Sequence, residues 1–218
     1  MKHTILSVLV SLLLGSETYA QIPVEVFGGH EKTTLDIMFF NYFKNKEGEN
    51  SMFLFFNRNR ASIDYQQSST ANLPSFGFTE AVSFNHPRLK GVAPVAVVQL
   101  LNSGVFPKAG VQYFHRKGEF TFFSWLVCET TSSPYIDFFL LSRFEPKLSD
   151  RLNLFMQAEL VNAFPTLSNT SQIYIQRIRV GLKAKSWQVG VGSDFNQSGV
   201  DSFTTTNNVG GFIRHEFK

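Results

Sequence analysis

Cysteine, charge and long apolar runs are all scarce in this chain of 218 residues. Cys128 is the only cysteine, so no intrachain disulfide can staple the fold, as paired cysteines do in many small exported domains. No Cys/His cluster has zinc spacing, and neither a Gly-rich phosphate loop nor a nucleophile elbow appears. No metal, cofactor or catalytic set is therefore expected. Charged residues make up 17%, against roughly a quarter in an ordinary soluble domain. Beyond the N-terminus no apolar run approaches about 20 residues, which excludes a helical membrane protein. The net charge of +3 is too mild to point to nucleic acid.

Aromatic residues are plentiful instead. They form 15% of the chain, and 24 of them are Phe. Such a chain can bury far more surface than intrinsic disorder allows, yet its mean hydropathy is only −0.05. Any proposed architecture has to reconcile many Phe with neutral hydropathy and few charges.

The N-terminus indicates export. Met1-Lys2-His3 is a short basic start, and Thr4 to Gly15 is an apolar stretch of signal-peptide length. Thr18 and Ala20 then supply small residues at the −3 and −1 positions of a cleavage site before Gln21. The expected organisation is a cleaved leader over residues 1–20 and a single all-β domain over residues 21–218.

The rest of the chain is a succession of runs of about ten residues, rich in Phe, Val, Ile, Leu, Tyr and Thr and bounded by turn-forming or charged residues. They are Thr33–Lys44, Ser51–Arg60, Phe76–Asn85, Val92–Leu101, Lys108–Arg116, Glu119–Thr130, Tyr135–Phe144, Arg151–Asn162, Ser171–Lys183, Ser186–Phe195 and Asn208–Phe217. No run has a sustained helical period. Several alternate with the two-residue period of a strand. Ser186–Phe195 sets Trp187, Val189, Val191 and Phe195 against Gln188, Gly190, Gly192 and Asp194. Ser171–Lys183 sets Tyr174, Ile178, Val180 and Leu182 against Arg177, Arg179, Gly181 and Lys183. Charges and glycines on one face suit a hydrated, crowded interior. Phe53-Leu54-Phe55-Phe56 and Phe138-Phe139-Leu140-Leu141 are apolar on both faces, as expected beside an aromatic girdle or a partly plugged lumen.

A tilted strand crosses a bilayer in ~9–11 residues, about twice the mean soluble strand. Long alternating strands and abundant aromatics predict an antiparallel transmembrane β-barrel, with one strand face in lipid and the other in a polar interior. Eleven runs cannot close an even-numbered barrel. Taking the connections Asn196–Asn207, Ala163–Thr170 and Ala61–Ser75 as external loops, the count requires one more strand, and Gln21–Phe27 is the candidate, with Gly28–Lys32 as its loop. Twelve strands is the expectation, and ten, with one run not spanning, is the alternative.

On the last run Gly211, Ile213, His215 and Phe217 share a face, with Phe217 next to last and Lys218 after it. Here the chain resembles bacterial outer-membrane β-barrel proteins, whose final strand closes on a C-terminal aromatic read by the barrel-assembly machinery. His215 stands where that pattern has an apolar residue. Twelve strands without a plug domain are most similar to the nucleoside-specific channel family. The resemblance implies location in the cell outer membrane, lipid and the assembly machinery as partners, and a small hydrophilic solute as cargo. It carries over no binding residue.

Charges facing lipid at mid-membrane cost about 2–4 kcal/mol each for Arg or Lys. Arg58, Arg60, Glu129, Asp137, Arg143, Glu159, Arg177, Arg179 and Lys183 are thus expected to line the lumen or its rims, with Glu159 and Arg177 paired across neighbouring strands. That lining admits two readings. One is a passive pore for small hydrophilic solutes. The other is a salt-bridge network that fills a non-conducting structural or adhesive barrel. Tyr42, Tyr135, Tyr174 and Trp187 fall near strand ends and read as an interfacial girdle, or else as a stacking platform for a planar solute. Trp125, mid-run, fits a girdle less well. His86, His115 and His215 have no Ser or Asp at a telling spacing, so no enzyme is expected. A soluble, lipocalin-like ligand binder is the remaining rival, and it would place the apolar faces inside.

Overall fold

The computed structural model describes residues 22–65, 74–131 and 133–217. The leader and Gln21, the middle of the Ala61–Ser75 connection, Ser132 and Lys218 lie outside them. Twelve antiparallel strands form the wall: β1 (Ile22–Gly29), β2 (Lys32–Lys44), β3 (Asn50–Asp64), β4 (Ser75–Phe84), β5 (Val92–Leu101), β6 (Gly104–Lys117), β7 (Phe120–Glu129), β8 (Tyr135–Phe144), β9 (Leu152–Pro165), β10 (Gln172–Ala184), β11 (Trp187–Gly199) and β12 (Phe203–Phe217). Each strand pairs with its neighbours in sequence. β1 then pairs with β12, from Ile22 opposite Phe217 to Gly29 opposite Gly210. That seam closes the barrel, so no strand edge is left open. A three-residue stub, Lys147–Ser149, pairs with the start of β9. A single 3₁₀ turn, Pro87–Leu89, follows β4, with the His86 ring accepting from the Arg88 backbone N–H.

All eleven sequence runs are strands, and the twelfth is where the count required it. The ten-strand alternative is excluded. The limits of several segments differ from expectation. β1 continues through Gly28 and Gly29, leaving a two-residue turn at 30–31 instead of a loop over Gly28–Lys32. Most of the expected loop Asn196–Asn207 is ladder, with Ser198 opposite Thr204 and Asn196 opposite Thr206. β3 likewise runs on to Asp64. The extensions of β11 and β12 are rich in Ser, Thr and Asn, so they carry no apolar alternation to read. They still pair, because backbone hydrogen bonding does not require an apolar side chain.

The faces are inverted relative to a soluble barrel. Val191 is 66% exposed and Ile178 54%, both pointing outward, whereas Asp194 on the inner face is 1% exposed and Gln188 0%. Apolar-out and charged-in alternation fits hydrocarbon outside the wall. It overturns the lipocalin-like reading. One carboxylate breaks the pattern. Glu80, on the outer face of β4, accepts from Asn57 Nδ2 of β3 at 2.5 Å, and Asn57 in turn accepts from Asn59 at 3.2 Å.

Candidate functional site

The lumen divides into an apolar half and a charged half. Along β2–β8 the inner face carries Phe56, Phe123, Trp125, Phe139 and Leu141, all buried and in one cluster. Phe56 stacks on Phe123 at 5.4 Å and meets Trp125 edge-on at 5.2 Å. Aromatic pairs of this kind add about 0.5–1.5 kcal/mol each beyond their buried area. The two runs that are apolar on both faces supply part of this cluster, through Phe56, Phe139 and Leu141. Trp125 belongs here as well, which is why the girdle reading suited it poorly.

The other half is a closed circuit of ion pairs and hydrogen bonds. Asp36 on β2 holds Arg58 on β3 at 2.5 Å, and Arg58 reaches Glu159 on β9 at 2.8 Å. Glu159 accepts from Gln157 at 2.7 Å, and Gln157 accepts from Arg214 on β12 at 3.0 Å. Arg214 binds Glu25 on β1 at 2.5 Å, and Glu25 binds Arg179 on β10 at 2.9 Å. Arg179 holds Asp194 on β11 at 2.8 Å, Asp194 holds Arg60 at 2.6 Å, and Arg60 returns to Asp36 at 3.5 Å. Arg177 spans the middle, 3.2 Å from Glu159 and 3.9 Å from Asp194. The circuit is a septum, because β3 reaches β9 and β11 only across the lumen. Removing one partner of such a buried pair typically costs 3–5 kcal/mol.

Local sequence makes room for it. A Cβ on Gly192 would lie 2.6 Å from Arg179 Cδ, so this inward glycine clears the space the guanidinium crosses. Arg179 then lies 3.8 Å over the Phe27 ring, and Arg214 lies 4.8 Å over Phe155. Both contacts are short enough for cation–π attraction.

Of the residues expected to line the lumen, Arg58, Arg60, Glu159, Arg177 and Arg179 enter this septum, and the Glu159–Arg177 pair is cross-strand as anticipated. Glu129 and Asp137 face inward but join a separate site. Both are ion-paired to Lys108, Glu129 at 3.1 Å. Lys183 sits at the end holding the chain termini, 3.2 Å from Glu145 and 2.9 Å from Glu216. Sequence reasoning passed over Glu25, Asp36, Lys108, Arg214 and Glu216. A usable signal existed, since each falls on the inward parity of its own strand.

The girdle candidates separate. Trp187 faces outward at the terminal end, 4.4 Å from His215, which is 4.4 Å from Phe217. Tyr174 faces outward at the opposite end, 5.7 Å from both Phe164 and Phe203. Tyr135 is at that same end, on the inward parity of β8, and its hydroxyl donates to the Ser171 carbonyl at 3.3 Å. Tyr42 is no girdle residue. It shares the inward parity of Met38 and lines a cavity inside the barrel mouth.

Two cavities flank the septum. The terminal one is about 710 Å³ and is walled by Tyr42, Lys44, Arg116, Arg143, Lys183 and Glu216, among others. The distal one is about 320 Å³, with Lys32, Arg60 and Arg177 against Asp194, and with Thr34 and Ser62 as hydroxyl donors. A void of about 10 Å³ beside Glu25, Asp36, Arg143 and Arg214 lies between the terminal cavity and the septum. It is about the size of one water molecule.

No protein-family profile and no curated protein sequence matches the chain. Among solved structures it is similar to the NanC porin, with a TM-score of 0.52 at 6% identity, covering 91% of this chain and 99% of that one. The β domain of the Bordetella autotransporter BrkA aligns at a TM-score of 0.41 and 9% identity, over 92% of this chain and 100% of that one. A loop L8 deletion mutant of OmpT, an outer membrane protein of Vibrio cholerae, aligns at 0.40 and 10%, over 91% and 97%. At these identities the likeness is one of fold, and of the three only the NanC porin exceeds a TM-score of 0.5. The chain therefore has a closed, twelve-strand β-barrel fold of the outer-membrane porin type.

Proposed function

We propose that the protein resides in the bacterial outer membrane as a passive channel of low conductance for small hydrophilic solutes, with a preference for anions. The carrying observation is the excess of cations on both sides of the septum. The distal cavity sets Lys32, Arg60 and Arg177 against Asp194. The terminal cavity sets Lys44, Arg116, Arg143 and Lys183 against Glu145 and Glu216. Low-dielectric walls focus such a field and raise the local concentration of counter-ions. Solute crosses by displacing Arg177, the septum residue with the longest ion-pair contact. The chain termini and Phe217 then face the periplasm, where the assembly machinery engages the last strand. The proposal involves no enzymatic step. For a nucleoside-like solute, the stacking surface would be Phe40 and Phe114 of the terminal cavity.

A non-conducting structural barrel is the second reading, favoured by the aromatic cluster that closes half the lumen. Planar-bilayer recording in a KCl gradient separates the two. Small steps with a chloride-selective reversal potential, shifted toward cations by Arg177→Glu, are the expected result. A folded, heat-modifiable barrel that passes no current in any salt would leave the structural reading standing.

A further inference from the structure

From the terminal cavity we infer a second property, a binding site for a small amphiphilic organic anion. The observation is a set of cations with no carboxylate at ion-pair distance, beside an apolar floor, in a cavity whose two carboxylates, Glu145 and Glu216, are both held by Lys183. Arg58, Arg60, Arg177, Arg179 and Arg214 all lie within ion-pair distance of a carboxylate. Arg143 does not. Among the described residues it has no ion pair, and its guanidinium donates through Nε to Gln157 Oε1 at 2.9 Å. Gln157 is neutral, so the Arg143 guanidinium is oriented by a hydrogen bond and not by a direct ion pair. Arg116 also has no ion pair among the described residues, and Lys44 donates to the neutral Asn50 Oδ1 at 2.7 Å. All three cations line the same cavity.

The cavity floor is of a different nature. Its accessible apolar surface is that of the half-buried Phe40 and Phe114, backed by the buried Leu54, Leu141 and Met38. These two rings are stacked on each other at 5.4 Å. A simple hydrated ion gains nothing from such a floor, and a neutral apolar molecule gains nothing from unpaired cations. A molecule with a flat apolar body and one carboxylate or sulfonate uses both. The volume of about 710 Å³ falls in the usual range for small-molecule sites. Arg143 also borders the small void against the septum, so the anionic head would sit at the inner end of the cavity and the body along Phe40 and Phe114. Binding of this kind requires no conduction.

The test is calorimetric titration of the barrel in nanodiscs of zwitterionic lipid, with empty discs as the blank. The probes are 2-naphthalenesulfonate, methanesulfonate as head alone and 2-naphthol as body alone. Saturable one-to-one binding of 2-naphthalenesulfonate, at least tenfold tighter than either fragment and weakened by NaCl, is expected. Arg143→Gln should weaken it about tenfold. Should that variant not fold, Lys44→Gln with Arg116→Gln at the open mouth should weaken it severalfold. Binding no different from empty discs, or unchanged in the folded variants, overturns the site. Methanesulfonate binding as tightly as the naphthyl probe also overturns it, while leaving the anion-channel reading intact.

Discussion

Glu159 is 3% exposed and holds two arginines, Arg58 and Arg177, with a single carboxylate oxygen. Its replacement by Leu leaves Arg177 with only the 3.9 Å contact to Asp194. We expect Glu159→Leu to destabilise the barrel by about 3–5 kcal/mol, read as a lower temperature for loss of the fast-migrating form on gels. Arg177→Leu should cost less, because Arg58 still neutralises Glu159. Equal shifts for the two variants would show that the carboxylate is not shared as described. On the outer face, Asn57 is the donor that serves Glu80 at 2.5 Å. Asn57→Leu should lower stability by about 1–3 kcal/mol, the penalty for stranding a buried acceptor. Adding Glu80→Leu should recover much of it, since replacing both partners by apolar groups can be nearly neutral. A double-mutant cycle on melting temperature checks this, and strictly additive losses would contradict the pairing.

At the scale of the strand, most of the architecture was legible. Side-chain direction in a strand has a period of two and is a local property, so the alternation in β10 and β11 correctly separated outward-facing from lumen-facing residues. The same rule could have found Glu25 and Arg214, but in β1 and β12 the inward positions mix charge with Pro, Phe and Gly, and no polar stripe stands out. The alternation of Tyr42 was read by proximity to a strand end rather than by parity, and it misled for that reason. The polar reaches of β3, β11 and β12 were taken for loops because pairing there is carried by backbone alone. β1 is short, eight residues, yet it bears the whole closing seam. A proline at Val26 would remove a backbone donor in mid-ladder, where proline is not tolerated. We expect Val26→Pro to abolish the heat-modifiable folded form, whereas Val26→Thr should retain it. A fully folded Val26→Pro protein would mean that the seam with β12 is dispensable.

At the scale of the molecule, neutral hydropathy in a Phe-rich chain is what a barrel with a lipid face and a lumen face requires. What the chain alone determined is local: strand, period, face and the need for an even count. Which charges meet was decided by closure. Glu25 and Arg214 are 189 positions apart, and Arg58 and Glu159 are 101 apart. Contacts of that separation depend on strand number and register around the ring, and no repeat within any one strand encodes them. The same holds for the division of the lumen. Phe56, Phe123 and Phe139 come from three strands and form one cluster only because the curving wall brings β3 opposite the neighbouring strands β7 and β8. Local patterning can place an arginine inside. Only the closed barrel sets its distance from a carboxylate on a distant strand, and so distinguishes an ion-paired septum residue such as Arg58 from Arg143, which is held by a neutral Gln157.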